Sequence, residues 1–245
     1  MLEMPDGRRI AYRRTPGAAP GVVFLGGFRS DMSGTKASHL EDWARARGQG
    51  FLRFDYTGHG LSSGDFEAGG IGDWARDAAD ALGALTAGPQ ILVGSSMGGW
   101  IALLLARRMP ERVAGLVGIA AAPDFTEDSM WAGFDDAQRR LLAETGRIEL
   151  PSEYSDDPYP ITARLIEDGR RHLVLRGPLV LPFPVRLLQG MADVDVPPAV
   201  ALRLAEHASC ADLRLTLVKG ADHRFSAPAE LALIAAALDE LIGRV

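Results

Sequence analysis

Cysteine is almost absent from this sequence, since Cys210 is the only one among 245 residues. One thiol can form neither a disulfide within the chain nor a metal site built from several thiolates. We therefore expect Cys210 to be a part-buried structural residue in a protein of a reducing compartment. The sequence also lacks an apolar run near the roughly 18 residues that a membrane span requires. Its longest runs, such as residues 101–106, have the size of core segments.

An excess of basic residues is missing as well. The 26 basic and 32 acidic residues give a formal net charge of −6, which argues against nucleic acid as a partner. The N-terminus carries Glu3, Asp6, Arg8 and Arg9 where a signal peptide would have a continuous apolar stretch. We expect a cytoplasmic protein without stable membrane insertion. Nothing in the sequence indicates the oligomeric state.

Short apolar runs alternate with longer stretches of helical spacing, which is the pattern of an α/β fold with a mostly parallel sheet. The length suits one domain of this class. The predicted strands are residues 22–27, 50–55, 90–94, 113–120, 184–189 and 213–219, with 8–14 as an additional edge strand. The predicted flanking helices are residues 36–47, 71–87, 98–108, 197–208 and 228–242.

Residues 124–182 interrupt this alternation with five prolines and short helical patterns at 135–145 and 161–168, ended by Gly146 and Gly169. We expect a small cap inserted into a core formed by residues 1–123 and 183–245. The aromatic side chains of this segment either line an acyl or aryl pocket or form the cap's own core. They are Trp131, Phe134, Tyr154 and Tyr159.

The run Gly94-Ser-Ser-Met-Gly-Gly99 lies between a predicted strand and a predicted helix. This is the context of a nucleophile elbow, in which a tight turn presents a serine at the end of the strand. The turn requires small residues where the strand and the helix approach each other, and Gly94 and Gly98 meet that requirement. The sequence therefore predicts Ser96 as a nucleophile.

A serine needs a base and a group that orients the base, and both follow predicted strands further along the chain. His223 comes after the last strand and is the predicted general base. Asp193 comes after the preceding strand and is the predicted orienting acid, with Asp195 and Asp124 as alternatives. The order Ser96, Asp193, His223 is the one found in α/β-hydrolases.

The negative oxygen formed during attack needs preorganised N–H donors. The Met97 N–H, at the start of the helix after Ser96, is one candidate, and the Phe28 N–H, after a glycine pair at a strand end, is the other. Arg29 and Arg224 either meet a substrate carboxylate or form surface ion pairs with nearby acids. No histidine cluster with metal-ligand spacing is present.

Over essentially its whole length the chain resembles the α/β-hydrolase superfamily. Its motifs are most similar to those of the branch of palmitoyl-protein thioesterases and acyl-glucuronide esterases. The segments that carry the resemblance are residues 34–37, 53–58, 88–100 and 222–224. The resemblance implies a serine hydrolase that acts on esters or thioesters without metal or organic cofactor, with Ser96, Asp193 and His223 as its catalytic residues. One departure is Gln189, where many family members have histidine.

Three functions are compatible with these motifs. The first is an acyl esterase or thioesterase that forms an acyl-enzyme on Ser96, with a small acyl ester, an acyl thioester or an acylated protein as substrate. The second is a non-catalytic protein that binds a ligand in the same pocket. The third keeps the serine chemistry but acts on another bond, by C–C cleavage or acyl transfer.

Overall fold

The computed structural model describes residues 1–150 and 158–244. Its strands are β1 (Leu2–Glu3), β2 (Arg9–Ile10), β3 (Tyr12–Thr15), β4 (Ala18–Leu25), β5 (Gln49–Phe54), β6 (Gln90–Ser95), β7 (Val113–Ile119), β8 (Arg147–Leu150), β9 (Tyr159–Thr162), β10 (Val185–Gly190) and β11 (Leu213–Val218). Its α-helices are α1 (Thr35–Arg47), α2 (Ile71–Leu85), α3 (Met97–Arg108), α4 (Asp136–Thr145), α5 (Ala163–Arg170), α6 (Pro198–His207) and α7 (Pro228–Ile242). No helix in these ranges is both long enough and apolar enough to cross a membrane.

Seven strands form one sheet in the order β11-β10-β7-β6-β4-β5-β3. All neighbours are parallel except β3, which pairs antiparallel with β5 at the edge. The predicted α/β architecture is thereby confirmed. Because the strands are parallel, the loops after β4, β6, β10 and β11 leave the sheet at the same edge, which is where binding sites form in such folds.

Both faces of the sheet are buried. On β4, Val22 and Phe24 belong to the core layer that contains residues of α1 and α7, whereas Val23 and Leu25 belong to the layer that contains residues of α2 and α3. The alternation follows from the two-residue period of a strand. It also explains why the central strands are continuous apolar runs rather than alternating ones.

The segment between β7 and β10 contains a π-helix (Thr126–Trp131), α4, the antiparallel pair β8–β9, and α5. The predicted helix 135–145 is confirmed: Asp135 caps it through a capping box with Gln138, and Gly146 ends it at a φ of 79°. The predicted helix 161–168 begins later, at Ala163, because Ile161 and Thr162 belong to β9. The π-helix and the β8–β9 pair were not predicted.

Gly169 does not end its helix, which was the prediction, because α5 continues to Arg170. A Cβ on Gly169 would lie 2.1 Å from the Thr126 side-chain oxygen, so this glycine allows α5 to pack closely on the π-helix. The predicted edge strand 8–14 is also divided. Ala11, between β2 and β3, instead bonds through its N–H to the Ser62 hydroxyl and through its carbonyl to the Asp55 N–H.

Candidate active site

Ser96 lies at the turn between β6 and α3, with a backbone φ of 54° and ψ of −119°. A positive φ is costly for a residue with a side chain and persists only where the surroundings hold it. The Ser96 N–H donates to the Ile119 carbonyl at 2.9 Å, and the Ser96 carbonyl accepts from the Gly99 and Ala122 N–H groups at 2.9 and 3.1 Å. These bonds hold the strained turn that a nucleophile elbow requires.

The glycines of this turn lie where backbones meet. A Cβ on Gly94 would lie 2.4 Å from the Gly98 carbonyl oxygen, and one on Gly98 would lie 2.0 Å from the Leu25 carbonyl oxygen. Both distances are shorter than any real contact of a Cβ atom. The prediction that Gly94 and Gly98 permit a close approach of strand and helix is confirmed.

The loops after β10 and β11 bring Asp193 and His223 together. The Ala192 N–H donates to the Ala221 carbonyl at 2.9 Å, and a Cβ on Gly190 would lie only 2.3 Å from that same oxygen. As a result, His223 Nδ1 lies 2.9 Å from Asp193 Oδ2. Because an ionised carboxylate only accepts hydrogen bonds, the proton is on Nδ1, and Nε2 is left as the basic nitrogen.

The Asp193 side chain has no exposed surface. Burial acts to raise the pKa of this carboxyl, but the hydrogen bonds from His223 and from the Val196 N–H outweigh it, so the pKa lies below its ordinary value. The Asp195 and Val196 N–H groups both donate to Oδ1, at 3.0 and 2.8 Å. Asp193 therefore stays ionised at neutral pH, which suits a group that orients an imidazolium.

Gln189, which stands where many members of the resembled family have histidine, contacts the acid directly. Its amide nitrogen donates to Asp193 Oδ2 and to the Val196 carbonyl, both at 2.9 Å, and the side chain is fully buried. Its carbonyl oxygen has no partner among the described residues. Gln189 thus helps to hold the Asp193 carboxylate, a role that the sequence alone did not reveal.

The two alternative acids have other surroundings. Asp124 is fully buried and accepts hydrogen bonds from the Val174 and Leu175 N–H groups at 2.8 and 3.0 Å. It thereby joins the first part of the segment between β7 and β10 to residues 174–175 further along that segment. Asp195 is exposed and lies near the pair, with one carboxylate oxygen within 4.8 Å of the nearest atoms of Asp193 and His223. These three side chains form a group with metal-ligand spacing, although Asp193 and His223 already bond to each other.

Phe28 and Met97, the predicted oxyanion donors, are both close in the chain to residues at the elbow: Met97 directly follows Ser96, and Phe28 directly follows Gly27. Met97 begins α3, and Phe28 follows the glycine pair after β4. A Cβ on Gly27 would lie 3.5 Å from the Cβ of Ser96, so this glycine loop is in contact range of the elbow. Neither N–H group has a hydrogen-bond acceptor within residues 1–150 and 158–244.

A cleft of about 760 Å³, within the usual range for small-molecule sites, contains Ser96 and His223 in its wall. The apolar residues of its lining come largely from the segment between β7 and β10. They are Phe28, Phe125, Met130, Leu150, Tyr159 and Ile161. The polar residues of the lining carry charges of both signs and include Arg29, Asp31, Lys36, Asp195 and Arg224.

The aromatic residues predicted near the pocket divide into three groups. Tyr159 lines the cleft. Trp131 and Phe134 are absent from the described cleft wall and pack on each other with ring centroids 6.1 Å apart, and Phe134 is buried. Phe134 belongs to the same core cluster as Trp100, and Trp131 packs against that cluster, so neither the predicted pocket lining nor a separate core of the segment is what these two residues form. Tyr154 lies outside the described residues.

Lys36 is a site residue that sequence reasoning missed. It stands in the first turn of α1, and its ammonium group donates to the Arg224 carbonyl beside His223. Burial lowers the pKa of this amine to about 8, although the nearby Asp222 and Glu230 oppose the change. The sequence signal was slight, because a single lysine at the start of a helix is common on protein surfaces.

A sequence model described as the alpha/beta hydrolase family matches residues 22–234. The mitochondrial palmitoyl-protein thioesterase ABHD10 of Bos taurus is 35% identical over 245 residues, which cover 100% of this chain and 80% of the relative. A presumed hydrolase from Agrobacterium vitis S4, known from its crystal structure, has a sequence that is 44% identical to this chain. The two structures match with a TM-score of 0.94, over 98% of this chain and 96% of that one. Mouse alpha/beta hydrolase domain-containing protein 10 is 34% identical, with a TM-score of 0.92 and coverage of 99% and 97%.

Proposed function

The chain belongs to the alpha/beta hydrolase family and is a carboxylic ester or thioester hydrolase, and we propose that Ser96, His223 and Asp193 carry out its reaction. One observation carries this proposal. Ser96, on a strained elbow, and His223, held by the buried Asp193, line the same cleft. A nucleophile, a base and an orienting acid in this arrangement are what acyl transfer to serine requires.

In the first half of the reaction, the Ser96 hydroxyl attacks the acyl carbonyl carbon while His223 Nε2 takes the hydroxyl proton. The carbonyl oxygen becomes negative and accepts hydrogen bonds from the Phe28 and Met97 N–H groups. When the tetrahedral intermediate collapses, the bond to the leaving oxygen or sulfur breaks and His223 returns the proton to it. Asp193 stabilises the transient imidazolium and keeps its own charge.

In the second half, water attacks the acyl group on Ser96 while His223 again accepts a proton. Collapse of the second intermediate breaks the bond to Ser96, returns the proton to its oxygen and releases the carboxylic acid. The two halves are chemically alike, so the same base and the same oxyanion donors serve both. We assign no metal or organic cofactor to either half.

We propose that the acyl chain packs against the apolar residues of the cleft and that the leaving group contacts the polar ones. The apolar residues come largely from residues 124–182, which we propose to be a cap over the sheet edge. The relatives named as palmitoyl-protein thioesterases support an acyl thioester, and an acylated protein is a candidate substrate. Their name also places them in mitochondria, so the cytoplasmic location expected from the sequence stays a prediction.

A panel of acyl chains of increasing length, prepared as p-nitrophenyl esters and as thioesters, tests this function. We expect turnover by the wild type and a loss of roughly 10³-fold or more in Ser96→Ala. Cys210→Ala is the control for the single thiol of the chain and should keep wild-type activity. Saturable ligand binding without turnover, unchanged in Ser96→Ala, would instead favour the non-catalytic binding protein.

The alternative of another scissile bond is decided by product analysis. The proposal predicts a free carboxylic acid and a free alcohol or thiol in equal amounts. A product in which the acyl group has moved to an added alcohol, or in which a C–C bond has broken, would assign the serine chemistry to that reaction instead.

A further inference from the structure

Arg29 connects the loop that carries Phe28 to the segment between β7 and β10. Its Nη1 donates to the Pro158 carbonyl at 2.9 Å, across 129 positions of sequence. Its guanidinium carbon lies 5.2 Å from the ring centroid of Tyr159 and 5.7 Å from that of Phe66, both within cation–π range. Although Arg29 is exposed, its side chain therefore has three partners in other parts of the fold.

The backbone of Arg29 has a φ of 55°, in the left-handed region. An L-residue adopts this conformation at a cost in free energy, and it persists only where the surrounding structure holds it. The Ser30 N–H and hydroxyl, which both donate to the Gly27 carbonyl, close the turn from within the loop, and the three partners of the Arg29 side chain hold it from outside. The strained residue directly follows Phe28, so a relaxation at Arg29 would rotate the peptide groups next to the Phe28 N–H.

Phe28 itself is held by a ring cluster drawn from several elements. Its ring centroid lies 5.0 Å from that of Phe66, 5.9 Å from that of Phe125 and 6.2 Å from that of Tyr159. Two of these partners, Phe125 and Tyr159, belong to the segment between β7 and β10 and not to the loop that carries Phe28. The position of the Phe28 amide thus depends on contacts from outside its own loop.

We propose that Arg29 is a positioning residue that fixes the Phe28 N–H for the oxyanion by anchoring its loop to Pro158 and Tyr159. The inference rests on the proposed function, in which the Phe28 N–H stabilises the transition state. Arg29 lines the cleft, but its effect on the chemical step is exerted through Phe28 and not on the reacting atoms. Strand β9 therefore contributes to the chemical step as well as to the wall of the cleft.

The test compares Arg29→Ala, Arg29→Lys and the control Arg164→Ala. Arg164 is also exposed and also bridges the same segment to the core, through the Ala68 carbonyl and Asp73 at 2.6 Å each, and Phe28 is not one of these partners. The measurements are kcat and KM on a neutral p-nitrophenyl ester and on one that carries a carboxylate. The rate at which a fluorophosphonate labels Ser96 and the melting temperature are measured for each variant.

We expect kcat to fall about 10- to 100-fold in Arg29→Ala, because an oxyanion donor is displaced rather than removed. KM should stay within about threefold for both esters, and the labelling rate should fall by a factor similar to that of kcat. Arg29→Lys keeps a cation over the rings and should retain an intermediate kcat. Arg164→Ala should keep kcat and the labelling rate within about threefold, at a melting temperature similar to that of Arg29→Ala.

Unchanged kcat and labelling in Arg29→Ala would overturn the inference. A rise in KM confined to the carboxylate ester would also overturn it and would make Arg29 a substrate ligand. If kcat and the labelling rate fall equally in Arg29→Ala and Arg164→Ala, and the decrease parallels the decrease in melting temperature, Arg29 is only a structural contact. If the wild type is labelled but hydrolyses no ester or thioester, the proposed function fails, and the labelling rates still decide the role of Arg29. A wild type that is never labelled at Ser96 refutes both.

Discussion

Replacement of Gly98 by alanine should damage both stability and catalysis. The added Cβ would lie 2.0 Å from the Leu25 carbonyl oxygen, where ordinary contact begins at 3.4 Å, so α3 and the end of β4 must separate by about 1.4 Å. Strain of this kind in a packed site costs about 1–3 kcal/mol of unfolding free energy. The same movement separates Ser96 from the Phe28 loop, and a displacement of about 1 Å at a reacting centre lowers the rate roughly 10²-fold.

Gly83→Ala is the matched control. Gly83 is an exposed position of α2, and nothing lies within 4 Å of its added Cβ. Alanine should therefore stabilise this helix by about 0.5–1 kcal/mol and leave kcat unchanged. Urea unfolding and ester hydrolysis give both quantities for both variants. A Gly98→Ala protein that is as stable and as active as Gly83→Ala would refute the account of the elbow.

Asp193→Asn should lower kcat on the order of 10³–10⁴-fold, since His223 loses the partner that keeps its proton on Nδ1; steady-state hydrolysis measures this, and a loss under tenfold contradicts it. Lys36→Met should remove a pH dependence of stability. The pKa of Lys36 is about 8 when folded and 10.5 ordinarily, so the unfolded chain binds more protons between these values. Between about pH 8 and pH 10.5, the free energy of unfolding of the wild type should thus rise by about 1–2 kcal/mol relative to that of Lys36→Met. This value is smaller than the full pKa difference would give, because Lys36 is partly exposed and solvent screens its charge. Urea unfolding across pH checks it, and parallel curves would contradict it.

The fold and the proximity of Asp193 to His223 could be predicted from the sequence for one physical reason. In a parallel sheet, the loops that follow the strands leave at one edge, so polar residues after β6, β10 and β11 are brought to the same place. Asp193 was favoured over Asp124 and Asp195 in advance, and the hydrogen bond to His223 is made by Asp193. The role of the glycines in the elbow could also be predicted, because a tight turn between a strand and a helix requires residues without side chains.

The remaining features depend on contacts that no local pattern encodes. Arg29 was predicted to meet either a substrate carboxylate or nearby acids, but its observed partners are Pro158 and Tyr159, whose position depends on the pairing of β8 with β9. Gly169 was predicted to end a helix, because glycine commonly stands at helix ends. Its actual role depends on where Thr126 packs.

Rapid-quench mass spectrometry of the enzyme during turnover of an acyl thioester shows directly whether Ser96 becomes acylated. We predict a transient adduct on Ser96 that raises the mass of the enzyme by that of the acyl group less one hydrogen, and that is hydrolysed at a rate that accounts for turnover. Turnover without an adduct on Ser96, or with the acyl group on another residue such as Cys210, would contradict it.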